Sequence, residues 1–216
     1  MNLQRFMFNP FAENTYIIDN GHNAVIIDCG CSNDNEAQQL LNYIQEQQLE
    51  PIALLNTHFH LDHQFGNETL FQKYGLIPYG SERDLPLMKS YEQQCDWFGI
   101  TDIPAPTNNN FNNVSDGDVL KFDDLEFQVI STPGHTPGCV CYLLKTEENK
   151  PDILFSGDTI FKKGIGRTDL PYGNWSDMQD SIKKILTLPD DTIIFSGHGE
   201  VTTIAAERLW HVGQVI

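Results

Sequence analysis

The chain has 216 residues, enough for one domain with a sizeable hydrophobic core, and 40% of its residues are hydrophobic. Its formal net charge of −17 excludes a typical nucleic-acid-binding protein, because nucleic acid requires a basic surface and no lysine or arginine cluster is present. No apolar run is long enough to span a membrane, and the N-terminus lacks the apolar segment of a secretory signal, so we expect a cytoplasmic protein without a membrane partner.

The first half of the chain is predicted to alternate between strands and helices. An Asn20-Gly21 pair is a strong signal for a hairpin turn between the second and third strands. Ser32 or Asn33 can cap the following helix, whose apolar face includes Leu40. The predicted elements are strands at 3–8, 14–19 and 24–28, a helix at 34–48, a strand at 52–56, a helix at 64–74 and a short strand at 77–80.

The middle of the chain is less regular. The helical pattern of residues 81–99 is interrupted at Pro86, and residues 100–114 are predicted as an irregular loop. Such loops often carry binding residues, so Trp97, Phe98 and Phe111 either line a substrate channel or cover the core locally.

A β pattern returns in the second half. Strands are predicted at 119–122, 125–131, 139–145 and 153–156, followed by a helix at 175–188, a strand at 192–196 and a last helix from 203 to about 212. Periodicity therefore indicates a mixture of β and α structure.

The stretch from Thr57 to His63 gathers four metal-ligand side chains directly after a predicted buried strand. Residues two apart in an extended chain point the same way, so His58 and His60 can face one cation together. Asp62 and His63 lie where the strand gives way to a turn, and are placed to serve a second cation. Imidazole nitrogens with a carboxylate suit zinc, with iron and manganese as competitors.

Three later turns each carry one more candidate ligand at the end of a strand, mostly beside glycines that allow tight turns. The predicted ligands form two sets that share Asp158 as a bridge: His58, His60 and His135 for the first ion, and Asp62, His63 and His198 for the second. Coordination to such ions lowers the pKa of water to about 7 from roughly 15.7, which provides hydroxide at neutral pH.

These residues resemble the metallo-β-lactamase superfamily, whose signature is His-x-His-x-Asp-His followed by later His, Asp and His ligands. All seven positions are matched in order, and the resemblance extends from the Asp28-Cys29-Gly30 turn to the Gly197-His198-Gly199 turn. It implies an α/β fold, the four-layer αβ/βα sandwich, in which two mixed β-sheets are flanked by helices and the metals lie at one edge.

Within the superfamily, residues 155–161 and 164–169 are similar to glyoxalase II (hydroxyacylglutathione hydrolase) and its short YcbL-like relatives. The resemblance implies a metal-dependent hydrolase of a small acyl-thioester, with a metal-bridging hydroxide as nucleophile and Asp62 holding that hydroxide in line. Arg167 occupies the position of a basic residue that contacts glutathione in glyoxalase II; the alternative is a structural ion pair with Asp169.

Glyoxalase II has an additional C-terminal helical region that supplies much of its glutathione site, whereas this chain ends soon after His198. We therefore expect a single metallo-β-lactamase-like domain over residues 1–216, with no separate glutathione-binding helical domain. The expected partner is a small-molecule thioester. The sequence identifies neither the thiol part of this substrate nor an oligomeric state of the protein.

The nearest alternative function is that of a persulfide dioxygenase, which shares the scaffold and uses one iron, held here by His58, His135 and Asp158. Hydrolysis of another small ester or a lactone would use the same hydroxide. A non-catalytic binding protein is disfavoured, because unused ligands have no reason to stay clustered.

Overall fold

Strands and helices alternate along the chain, as the hydrophobic pattern predicts. The computed structural model describes residues 1–211. The strands are β1 (Asn2–Phe8), β2 (Glu13–Asp19), β3 (Asn23–Ile27), β4 (Glu50–Leu55), β5 (Tyr79–Gly80), β6 (Asn112–Asn113), β7 (Val119–Phe122), β8 (Leu125–Ser131), β9 (Val140–Lys145), β10 (Ile153–Gly157), β11 (Ile160–Phe161), β12 (Gly164–Ile165), β13 (Ile193–Ser196) and β14 (Thr202–Thr203). The helices are α1 (Asp34–Glu46), α2 (Asn67–Tyr74), α3 (Leu85–Lys89), α4 (Tyr91–Phe98), α5 (Trp175–Ile185) and α6 (Ile204–His211).

Within residues 1–211 the strands form two six-stranded sheets and one small hairpin, β11–β12. The first sheet has the order β1-β2-β3-β4-β5-β6, and the second has the order β14-β13-β10-β9-β8-β7. Both sheets are mixed: β3 pairs parallel with β4, and β10 pairs parallel with β13, whereas the hairpin-connected strands pair antiparallel.

Side chains alternate between the two faces of each sheet, and each face has its own core. Tyr16 and Ile18 of β2 point toward the second sheet and pack with Phe155 of β10, whereas Ile17 between them packs with Leu40 of α1. On the outer face of the second sheet, α5 and α6 contribute a third apolar cluster. The layers therefore run helix, sheet, sheet, helix, which confirms the predicted four-layer sandwich.

The carboxyl ends of several strands from both sheets lie at one edge of the sandwich. In the first sheet β3 and β4 run parallel, and in the second β8, β10 and β13 run in the same direction as one another. The two sheets are joined at this edge, because Asn14 N donates to Gly197 O at 2.7 Å and Val140 N donates to Thr57 O at 2.9 Å. Every predicted ligand follows one of these strand ends.

Two predicted helices begin or break elsewhere. We expected a helix from Gln64, but residues 61–63 form one 3₁₀ turn and α2 starts at Asn67. Gly66 separates the two elements, and it is pressed so closely on two thiols that a Cβ there would lie 2.3 Å from Cys31 Sγ. Pro86 was wrongly predicted as an interruption: it lies in the first turn of α3, where a missing N–H costs nothing, and the break comes at Ser90.

The last predicted helix is present as α6, but Val212, near its expected end, lies outside the described residues. The short strands β6, β11, β12 and β14 were not predicted, and β6 lies within residues 100–114, which were predicted as an irregular loop. In the described part of the chain, no helix has the length and apolar character needed to span a membrane. The single domain over residues 1–216 stays a prediction.

The layer between the sheets makes a testable prediction for stability. Leu144 is fully buried there, so the Leu144→Ala variant should lose about 2–5 kcal/mol of unfolding free energy through lost burial and the residual cavity. Leu209→Ala is the matched control, since Leu209 is 84% exposed and its truncation should change stability by no more than about 0.5 kcal/mol. Urea denaturation measures both values, and equal losses would contradict the assigned layering.

Candidate metal centre

The seven predicted ligands meet at the edge where the strand ends of the two sheets converge. Five of them line a cleft of about 210 Å³: His60, Asp62, His135, Asp158 and His198. His58 and His63 lie below them and are almost completely buried. Residues separated by 140 positions in the chain, such as His58 and His198, therefore belong to one site.

Four groups of described side chains could each hold a metal ion, since the candidate ligand atoms of each group lie within 4.8 Å of one another; one of them combines His63 with Glu13 and Asp28, and the other three consist of the predicted ligands. Two of these groups match the sets predicted from the sequence. The third combines His58 and His63 with Asp158, so this carboxylate reaches a member of each set. The arrangement fits the predicted bridge, while metal binding by these particular residues stays a prediction.

Several buried polar atoms of the site lack a hydrogen-bond partner, and this is the arrangement that a metal ligand requires. His58 Nε2, His63 Nε2 and Asp158 Oδ1 are buried without one, and the last two lie 3.4 Å apart. Leaving a buried acceptor unsatisfied costs roughly 1–3 kcal/mol, so three in one place call for a compensating partner. The nitrogen and oxygen donors present suit a divalent cation.

Hydrogen bonds on the outer ring nitrogens aim three of the histidines at the centre of the site. His63 Nδ1 lies 2.9 Å from Asp28 Oδ2, His135 Nδ1 lies 2.8 Å from Arg167 O, and His198 Nδ1 lies 3.1 Å from Phe11 O. Each of these acceptors holds a proton on Nδ1, so Nε2 is the ring nitrogen that faces the centre of the site. Such contacts orient the ligands of protein metal sites.

The rings of His58 and His60 are kept neutral by their surroundings. Burial and the neighbouring histidines lower the pKa of His58 well below its usual value, and burial together with His135 lowers the pKa of His60 to about 3. His60 Nδ1 lies only 2.8 Å from His135 Nε2. A neutral imidazole is the form that binds a metal, so this environment prepares both side chains.

The carboxylates of the site stay ionised although they are removed from water. Burial by itself would raise the pKa of Asp158, but His63 and His198 outweigh it and hold that pKa well below its usual value. Burial would likewise raise the pKa of Asp62, and His63 beside it lowers the pKa instead. Asp62 Oδ2 lies 3.3 Å from His198 Nε2, facing the cleft.

Two buried aspartates that support the site were missed by the sequence analysis. Asp28, in the left-handed region with φ of 48°, accepts from Thr57 N and Oγ1, both at 2.8 Å, as well as from His63. Asp84 is also fully buried, and it accepts from Phe59 N at 3.2 Å, Thr136 Oγ1 at 2.8 Å and Gly138 N at 2.6 Å.

Asp84 thereby ties the turn of His58 and His60 to the turn of His135. The signal available in the sequence was an aspartate before Cys29-Gly30 at a strand end for Asp28, and none that we recognise for Asp84.

The aromatic residues of the middle segment divide between the two roles foreseen for them. Phe98 lines the cleft, with its ring 5.5 Å from that of Phe11, and its contact with a substrate stays a prediction. Phe111 packs its ring 5.7 Å from that of Phe59 and covers the core locally. Trp97 is 40% exposed and is not among the cleft residues.

Comparisons with known proteins agree with this geometry. The family model described as the metallo-beta-lactamase superfamily matches residues 8–198. Among curated proteins, hydroxyacylglutathione hydrolase GloC of Haemophilus influenzae is 38% identical over 211 residues, covering 96% of this chain and 95% of that protein.

Solved structures of the same fold resemble the chain over almost its whole length. The BLEG-1 B3 metallo-beta-lactamase has a TM-score of 0.85 at 30% identity, and TTHA1623 in a di-iron-bound form has 0.81 at 32% identity; each comparison covers 95% of this chain and 96% of that chain. ETHE1 from Myxococcus xanthus has a TM-score of 0.75 at 29% identity, covering 96% of this chain and 82% of that one. This fold binds divalent metals, and the di-iron form shows that zinc is not the only metal found in it.

The contact between Asp28 and His63 makes a prediction for metal affinity. Asparagine tolerates the left-handed backbone at position 28, but its single acceptor oxygen cannot serve both Thr57 N, which donates to Asp28 Oδ1, and His63 Nδ1, which donates to Asp28 Oδ2. The Asp28→Asn variant should therefore bind zinc roughly 10- to 100-fold more weakly, measured by competition with a chromophoric chelator.

The matched control is Asp123→Asn, an exposed position with φ of 58° in the turn between β7 and β8. Its zinc affinity should equal that of the unaltered chain. An unchanged affinity in Asp28→Asn, with circular dichroism showing an intact fold, would contradict the supporting role of Asp28.

Proposed function

The chain belongs to the metallo-β-lactamase superfamily, and from this premise we propose that it is a metal-dependent hydrolase of small acyl-thioesters, similar to hydroxyacylglutathione hydrolase (glyoxalase II). The observation that carries the proposal is the convergence of unpartnered ring nitrogens and a carboxylate oxygen beneath a cleft of about 210 Å³. Sequence identity of 38% to GloC supports thioester hydrolysis over other reactions of the superfamily.

In this proposal two divalent ions, zinc in the first place and iron or manganese as alternatives, are held by the residues predicted from the sequence. His58, His60 and His135 would hold the first ion, Asp62, His63 and His198 would hold the second, and Asp158, which is grouped with His58 and His63, would be shared between the two sets. When bound, such ions lower the pKa of water to about 7 and polarise the carbonyl group of a substrate.

We assign to Asp62 the role of hydrogen-bond acceptor for the attacking water. Its side chain is 15% exposed at the floor of the cleft, and His63 and His198 keep it ionised, so it can accept a hydrogen bond from the water and hold it in line. No strong acid is needed on the other side of the reaction, because a leaving thiol has a pKa near 8.5.

The walls of the cleft place the acyl group and limit the access of bulk water. Phe11, Phe98 and Leu170 supply apolar surface around the polar floor. A small acyl group fits between these side chains, where burial of apolar area stabilises it by about 25 cal/mol per Å². From the net charge of −17 we further propose an enzyme that acts on a small molecule rather than on nucleic acid, and the cytoplasm stays its proposed location.

The alternative is a mononuclear-iron persulfide dioxygenase that uses His58, His135 and Asp158. The likeness to ETHE1 fits this alternative, and the likeness to BLEG-1 fits hydrolysis of a β-lactam. The distinguishing feature is the second ligand set, since a single iron held by two histidines and a carboxylate leaves His63 and His198 without a role.

Metal content and activity together test the proposal. Untreated protein should contain about two metal ions per chain by elemental mass spectrometry, and it should release thiol from S-lactoylglutathione. About one iron per chain, with oxygen uptake on glutathione persulfide and no thioester turnover, would refute the proposal in favour of the dioxygenase.

A ligand variant sharpens the same test. His198→Ala should reduce the content to about one ion per chain and lower thioester hydrolysis on the order of 100-fold or more, because it removes a direct ligand rather than a supporting contact. His22→Ala is the control, since the His22 side chain is 70% exposed in a hairpin turn and pairs only with Glu50. Unchanged metal content and activity in His198→Ala would show that the second set is not used.

A further inference from the structure

The segment that carries four of the predicted ligands runs past the end of its strand and is held there by side chains. β4 ends at Leu55, and the chain continues to the 3₁₀ turn of residues 61–63. Phe59 within this segment is fully buried, so its backbone groups need partners inside the protein. Asp84 accepts from Phe59 N, and Gln64 Nε2 donates to Phe59 O at 2.7 Å. Side chains therefore replace the neighbouring strand that binds such a backbone in a sheet.

Gln94 of α4 supplies a further contact of this kind. It is fully buried, and its Oε1 accepts from Leu61 N at 3.1 Å. Its Nε2 donates to Leu87 O in α3 at 2.9 Å and makes a longer contact of 3.4 Å with Phe59 O. Only one orientation of the amide serves all three partners, because Leu61 offers a donor and the other two are carbonyl acceptors. Gln94 thus joins the ligand segment to both α3 and α4.

The surroundings of Gln94 favour an apolar residue at this position. Tyr91 and Cys95 of α4 pack with Leu61 in one apolar cluster, and Gln93 beside it is exposed. Glutamine is mostly exposed in proteins, and burying an amide is costly unless its polar atoms are hydrogen-bonded. An apolar side chain would continue the packing without that cost. What the amide adds is a hydrogen bond to the backbone of Leu61.

Leu61 lies between two ligands that belong to different sets. His60 is in the set predicted for the first ion, and Asp62 is in the set predicted for the second. On the other side of the segment, Asn9 Nδ2 donates to Asp62 O at 3.0 Å. We propose that Gln94 is a positioning residue for the candidate metal centre, which fixes the placement of His60 relative to Asp62 before an ion binds. The inference concerns metal binding, and only its consequence for catalysis rests on the proposed function.

Gln94→Met tests this proposal, because methionine is long, flexible and a good helix former but offers only a weak acceptor to the backbone. The variant should bind zinc roughly 10- to 100-fold more weakly than the unaltered chain in competition with a chromophoric chelator, the range found for contacts that orient metal ligands. Gln93→Met is the matched control, since it makes the same substitution at the exposed neighbouring position of α4. Its zinc affinity should equal that of the unaltered chain.

Gln94→Glu separates positioning from packing. Its carboxyl group keeps an acceptor for Leu61 N in either protonation state, but a carboxyl group is more costly to bury than a methionine side chain. The zinc affinity of Gln94→Glu should therefore exceed that of Gln94→Met, whereas its free energy of unfolding should be lower. A residue that only packs the core would give the same order in both measurements. Gln93→Glu adds the same charge on the exposed face and controls for the general effect of charge.

Hydrogen exchange in the unaltered chain tests the contact without a variant. In metal-free protein the amide hydrogen of Leu61 should exchange slowly with deuterium, because Gln94 Oε1 already accepts it. Rapid exchange at Leu61 would overturn the inference even if the Gln94 variants failed to fold.

Activity separates this inference from the proposed function. At saturating zinc, Gln94→Met should lower kcat for S-lactoylglutathione about tenfold or more with KM unchanged, because Asp62 is displaced and Gln94 is not among the cleft residues. If the unaltered chain turns over no thioester but the zinc affinities follow the expected order, the hydrolase function is wrong and the role of Gln94 stands. Unchanged zinc affinity in folded Gln94→Met, or equal affinities in Gln94→Met and Gln94→Glu, would overturn the inference.

Discussion

The structure depends on burying several imidazole rings and carboxylates. In such a group, one polar atom is hydrogen-bonded to the surrounding protein and another faces the centre of the site. Burying such groups is expensive, and the cost is tolerated only where fixed partners compensate for it. Asp28 is that partner for His63, and backbone carbonyls of Arg167 and Phe11 serve His135 and His198. Hydrogen-bond acceptors therefore surround the site, and at its centre lie candidate metal-ligand atoms that have no hydrogen-bond partner.

The two sheets are what make this arrangement possible. A side chain that follows the carboxyl end of a parallel strand lies at the same edge as its neighbours, and here that edge is shared by strands from both sheets. The apolar layer between the sheets fixes their separation, and Asp84 joins the turns that follow β4 and β8. Packing deep in the sandwich thus determines distances at its rim.

Much of the fold and the candidate site could be predicted because the relevant information is local. His58, His60, Asp62 and His63 stand within six positions of one another, and their spacing after a strand already implies which of them face the same way. Glycine-rich turns marked His135, Asp158 and His198. The family resemblance then supplied the order of the layers.

What could not be predicted is the set of long-range contacts. Asp84 looks like an ordinary polar residue between Arg83 and Leu85, and its importance comes from partners 25 to 54 positions away. The structure shows the pairing of Arg167 with Asp169, which was one of two foreseen alternatives, and a contact of Arg167 with substrate stays a prediction. Gly66 was another such case, because the thiols that it contacts are far away in the sequence.

The hydrogen bond between Asn14 and the turn that carries His198 has a consequence for the order of events during protein synthesis. Asn14 Nδ2 donates to Ser196 O at 3.0 Å across 182 positions, so this contact cannot form before Ser196 has been synthesised. At ribosomal rates of about 5–20 residues per second, His58 emerges roughly 7–28 s before His198 follows. The nascent chain therefore exposes an incomplete set of candidate metal ligands for that interval, and the full set can assemble only after His198 has emerged.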